Sequence, residues 1–135
     1  MASVAADLIT YLDGLFSETA GTDLFEGPPT PEGPANVVVV SHYMGEPGED
    51  RVMGPSLTPP GVEVSLVQVL VRNTGMATGK TKADAYHAKL DGYNGTLSGR
   101  KYFDIESING MPFSMGQDKN TNWEWVCNYR CQHAR

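Results

Sequence analysis

Eight of the nine prolines fall in two segments, four in residues 26–35 (Glu-Gly-Pro-Pro-Thr-Pro-Glu-Gly-Pro-Ala) and four in Met44 to Gly61. Proline locks φ and carries no amide donor, so neither segment can form a helix interior or a central strand. Both read as extended connectors, and regular structure is left to the stretches around them. The 15 glycines add to this, and the charged fraction of 19% is modest, which together point to long irregular connections around one core. At 135 residues the chain is expected to form a single domain spanning 1–135. Its 40% apolar content, with runs such as Val37-Val38-Val39-Val40, excludes the disordered class.

Periodicity fills in the elements. From Ser3 to Phe16 the residues Val4, Ala5, Leu8, Ile9, Leu12, Leu15 and Phe16 recur at three and four, the pattern of an amphipathic helix. Ser3 can cap it, and Asp7 and Asp13 are expected on its outer side, Asp7 near the positive end of the dipole. Asn36 to Tyr43 reads as a short buried strand. Val62 to Arg72 reads as a longer one whose two faces must both be covered. Thr78 to Asp91 is expected as a second helix, capped by Thr78 or Thr81 and ended by Gly92. Lys101 to Ile108 and Asn122 to Gln132 alternate as strands. The last of these sets Trp123, Trp125, Cys127, Tyr129 and Cys131 on one face, and Val126 as the exception on the polar one. The expected fold is α+β, a mostly antiparallel four-stranded sheet with two helices packed on one face and a long Gly/Pro loop between the first two strands.

Ten basic residues stand against 16 acidic ones, a net charge of −6, so a sequence-independent grip on nucleic acid phosphates is not expected. No run reaches 18 apolar residues and no basic stretch precedes an apolar one at the N-terminus, so neither a membrane span nor a signal peptide is expected. The protein reads as soluble and made in the cytoplasm, with Cys127 and Cys131 reduced.

Several motifs suggest chemistry and fall short of it. Gly75-Met-Ala-Thr-Gly79-Lys80-Thr81 lies between a strand and a helix, as a phosphate-binding loop does, but three residues separate its glycines where that loop needs four. A turn shaped by Gly75 and Gly79 is the simpler reading, and a small nucleotide-binding enzyme stays a remote alternative. Cys127, Cys131 and His133 could ligate a soft metal, yet residues four apart on a strand lie about 13 Å apart, too far for two thiolates on one zinc. His42, His87 and His133 have no nucleophile motif beside them. Glu46, Glu49 and Asp50 lie in a Gly/Pro loop without the rigid support that acid–base geometry requires. Asp118 to Asn122 lacks the spacing of a calcium loop. The expectation is no catalytic residue, no metal and no cofactor.

The element order resembles that of the phage tail terminator family, whose members are often called minor capsid proteins. So does the stretch Leu24-Phe25-Glu-Gly-Pro-Pro-Thr-Pro-Glu-Gly-Pro-Ala-Asn-Val-Val-Val-Val, followed by Val62-Glu-Val-Ser-Leu-Val-Gln-Val-Leu-Val-Arg72 and a helix from Lys80 to Asp91. The closing stretch from Gly110 to Arg130, with a Pro, a Gly and an Asp-containing turn before a strand, is similar to the family's ending. The resemblance implies a non-enzymatic virion protein at the tail–neck junction, assembled in the host cytoplasm. It implies a hexameric ring that stops growth of the tail tube, caps its head-proximal end and meets a neck or head-completion protein. The implied partners are further copies of the chain, the tail tube protein and the neck, with no membrane; a head-closure or adaptor protein is the nearest alternative.

Acidity suits such a ring. Six copies at −6 each carry −36 formal charges, so DNA would pass through the lumen without binding its wall. Glu46, Glu49 and Asp50 are the candidates to face the channel or the tube.

Overall fold

The computed structural model describes residues 3–13, 24–27, 36–46, 62–118 and 120–134. Along the chain these form α1 (Val4–Leu12), β1 (Leu24–Glu26), β2 (Val37–Glu46), β3 (Val62–Asn73), α2 (Met76–Leu90), β4 (Tyr93–Leu97), β5 (Arg100–Ser107), β6 (Phe113–Gln117) and β7 (Trp123–Ala134). The α+β class holds, but the four-stranded sheet does not: the sheet has seven strands, ordered β1-β2-β3-β7-β5-β4, with β6 also paired to β7. It is mixed, because β1 runs parallel to β2 while the other pairs are antiparallel.

The three added strands are those that sequence periodicity conceals. β1 is three residues long, directly before the proline-rich connector, and β4 and β6 each contain a glycine and a register shift. Glu26, expected in the connector, instead pairs with Val40. Gly27 follows at φ +112°, a conformation glycine adopts without strain. The expected loop from Met44 also starts later. A bulge at Tyr43 lets β2 continue to Glu46, opposite Val64, and residues 47–61 lie outside the described residues.

Ser3 caps α1 as expected, its hydroxyl accepting the Ala6 amide at 3.0 Å. The helix stops at Leu12 rather than Phe16, where Asp13 turns to ψ 134°. α2 starts two residues earlier than expected, at Met76, with Gly75 at the cap position and no side-chain cap from Thr78 or Thr81. Asparagines instead order the turn before the helix: Asn73 Oδ1 accepts the Gly75 amide at 2.9 Å and Asn36 Oδ1 accepts the Thr74 amide at 3.1 Å. The Thr81 hydroxyl donates back to the Ala77 carbonyl. Gly92, at φ +81°, ends the helix as expected.

Both helices cover one face of the sheet. Leu8 and Leu12 of α1 and Ala83, Tyr86 and Leu90 of α2 share a cluster with Val38, Val40, Val67, Val69, Val71, Cys127, Tyr129 and Cys131. The Tyr11 hydroxyl of α1 donates to the Lys89 carbonyl of α2, joining the two helices. The opposite face is apolar as well. Val39 lies across from Leu70, Leu70 across from Val126, and Val126 across from Phe113, a single row over four strands. Val39, Leu70 and Val126 are buried, so Val126 is part of a second buried layer rather than a stray on a polar face. β3 is covered on both sides, as its unbroken apolar run requires.

Candidate assembly surface

The chemistry-bearing residues are held within the scaffold. Asp7, expected on the outer side of α1, is 1% exposed and points into the fold. Its Oδ2 accepts the Tyr102 hydroxyl at 2.6 Å and the Arg100 Nη1 at 3.2 Å, which fastens α1 to β5. Burial and the bond to Asp7 raise the Tyr102 pKa, so this hydroxyl stays a donor. A charge this deep is stable only with such partners. No sequence signal separates it from a dipole-facing carboxylate, because its partners lie more than 90 positions away.

A second buried charge fixes the other end of the sheet. Arg72 of β3, 4% exposed, reaches Glu124 of β7 at 3.3 Å and Asp118 at 3.4 Å. Asp118 Oδ1 also accepts the amides of Asn120 and Asn122 at 2.8 and 2.9 Å, an Asx-type turn that leads into β7. The Asn122 amide first, then the Asn120 amide and Arg72, hold the Asp118 carboxyl below its ordinary range, against an opposing contribution from burial.

The candidate phosphate loop is helix and core. Gly79 lies inside α2, where an added Cβ would come within 3.1 Å of Trp125 and 3.2 Å of Asn73. The glycine is there to let the helix seat against Trp125, which packs partly buried against the core. Lys80 pairs with Asp84 at 2.6 Å along the helix. Cys127 and Cys131 are both free and buried, as expected. Burial pushes the Cys131 thiol up to about 12, which keeps it protonated and unreactive.

The three histidines are not brought together. His42 is exposed and contacts the Met44 carbonyl, and His87 contacts the Tyr129 hydroxyl at 3.0 Å. His133 is buried, its Nδ1 at 2.9 Å from the Ala134 carbonyl. A carbonyl only accepts, so Nδ1 donates there, and Nε2 lies 2.8 Å from the Ser65 hydroxyl. Of the acidic trio, Glu46 closes β2, and Glu49 and Asp50 lie outside the described residues. No group of three potential metal-ligating side chains occurs among the described residues. Nor is any helix among them long and apolar enough to cross a membrane.

What the fold leaves open is apolar. From Ile108 to Gln117 the chain has no charged residue. Ile108, Met111, Phe113 and Met115 are 51, 67, 38 and 59% exposed. β6 pairs with β7 on one side only, so among the described residues its other edge is an open strand edge. The sequence pattern ends a strand at Ile108 and places no element between it and the turn at Asp118; Phe113 and Met115 in alternation are a signal of a strand, but not of its exposure.

A sheet stiffened from both ends by paired buried charges and bordered by an uncharged apolar strand has the build of a protein that assembles with others. The chain belongs to the bacteriophage tail terminator family, whose model matches residues 29–135, from the proline-rich connector through β7. That family is one of structural virion proteins. The fold is similar to that of a chain in the virion of a native gene transfer agent particle, at 19% identity and TM-score 0.62, over 99% of this chain and 87% of the other. No curated protein matches the sequence.

Proposed function

We propose that this protein is a tail terminator in the full sense: a single domain that forms a ring, a closed device for stopping growth of a tail tube, at the tube's head-proximal end. The ring of six copies then offers its outer surface to a neck or head-completion protein. The observation that carries this reading is the family match over residues 29–135, which takes in six of the described strands and α2. Two physical features support it. The chain keeps apolar residues on a strand edge that is open among the described residues and that no charged residue guards. Its net charge of −6 suits a lumen through which DNA passes without being held.

In this reading Glu46, Glu49 and Asp50 face the channel or the tube. Reversing all three to Lys then slows DNA delivery or impairs joining, measured as infectious titre per assembled particle. Unchanged titre removes the role from this loop. The reading as a whole is tested by electron microscopy of lysates from a virus whose copy of the gene is interrupted. Filled heads beside unattached, overlong tails are expected. Normal-length tails with leaking heads would make the protein a head-closure component, and ordinary infectious particles would end the proposal.

A further inference from the structure

We propose that the edge formed by Ile108–Gln117 is where a second copy of this chain docks, and that it meets the opposite end of that copy's sheet, at Met44. This rests on the ring reading above and names the surfaces that would close the ring.

The occupant follows from charge. Two copies of a chain at −6 repel wherever their acidic surfaces meet, so a contact between copies is favoured where at least one side carries no charge. Residues 108–117 form a largely exposed stretch with no charge, and the polar residues within it (Asn109, Ser114, Gln117) are neutral. A basic foreign partner would find nothing there to steer it. The edge also offers unpaired main-chain groups, which any strand of suitable register can complete.

The direction follows from the sheet. β6 and β2 bound the four-strand stretch β2-β3-β7-β6, with β6 at one end and the second half of β2 at the other. Phe113 lies across from Val126, and Met44 across from Leu66, whose next neighbour is Arg130 on the same face as Val126. Phe113 and Met44 therefore project from the same face, the one away from the helices, at its two ends. Met44 is 56% exposed, and Phe113 leaves the buried row of Val39, Leu70 and Val126 unfinished at 38% exposure. Joining one end to the other in successive copies extends this apolar face from copy to copy. Such a contact is head-to-tail, and it closes into a ring when the rotation permits; pairing of β6 with another β6 would stop at a dimer.

The test uses the full chain, sized by light scattering and viewed by negative-stain electron microscopy. Wild-type protein is expected to form rings. The double variant Phe113→Lys/Met115→Lys and the single variant Met44→Lys are expected to run as single chains with an unchanged thermal melt, whereas Met76→Lys, exposed on α2, keeps the ring. Rings that persist in both edge variants overturn the proposal and leave the terminator reading intact. In case the variants fold poorly, a photo-crosslinker at position 115 of the otherwise wild-type chain is expected to capture the Met44 region of another copy. Capture of residues 108–117 of another copy, or a wild type that stays a single chain at every concentration, overturns it. The tail lengths of the interrupted-gene virus judge the terminator reading separately, so the two failures are distinguishable.

Discussion

The helix-covered face and the β6 edge are built on opposite terms. Around Asp7 buried polar groups are paired with one another: its carboxylate holds Arg100 and Tyr102, while Ser65 and His133 meet nearby. At β6 the polar groups face solvent, and four large apolar side chains are left uncovered within eight positions of chain. Interior stability is indifferent to what lies at that edge, whereas removing one partner from a buried pair leaves a charge in a medium that cannot solvate it. The comparison teaches that residues which look chemical in this sequence hold the fold, and residues which look like filler form its outward surface.

The sharpest way to break the comparison is Asp7→Ala. It removes the carboxylate that Arg100 and Tyr102 share beneath α1 and is expected to cost about 3–5 kcal/mol of stability, read by urea unfolding. A cost under about 1 kcal/mol would mean that the pair is solvated and does not clamp α1 to β5. Gly79→Val comes next. Its side chain must enter the space against Trp125 and Asn73, and the expected loss is about 1–3 kcal/mol, with a blue or red shift of tryptophan emission as the local check.

A smaller effect concerns pH. Folding lowers the Asp118 carboxyl below its ordinary value, chiefly through the Asn122 amide. A group lowered in this way stabilises the fold above its unfolded value and loses that contribution as pH falls through its folded value, so the window lies below about pH 4. Asp118→Asn is therefore expected to flatten the stability–pH curve there and nowhere else; an unaltered slope would contradict the assignment. Smallest of all is Met115→Lys, which is expected to change the stability of the single chain by no more than about 0.5 kcal/mol. A large loss would show that Met115 supports the fold, and the contrast between the two regions would collapse.

The sequence made the long elements legible because each has its own local pattern. Ser3 and the three-and-four spacing mark α1, the unbroken run from Val62 marks a strand covered on both faces, and Gly92 marks the end of α2. What escaped depends on distant partners. β1 exists only because Val38 to Val40 offer it an edge, and Asp7 is buried only because Arg100 and Tyr102 arrive from far along the chain. The Gly79-Lys80-Thr81 segment misleads in the same way, since its glycine answers to Trp125 and not to a phosphate. The acidic loop was read from composition alone, and only Glu46 of its three carboxylates falls within the described strands. The apolar edge was hidden because alternation reveals a strand but cannot tell whether a neighbour will cover it.

The central claim is a position in the particle. Gold labelling of a terminal tag on this chain, viewed by cryo-electron microscopy of intact virions, tests it most directly. The account predicts label in a single ring at the junction between tube and neck. Label at the distal tip, along the tube or on the head shell would contradict it.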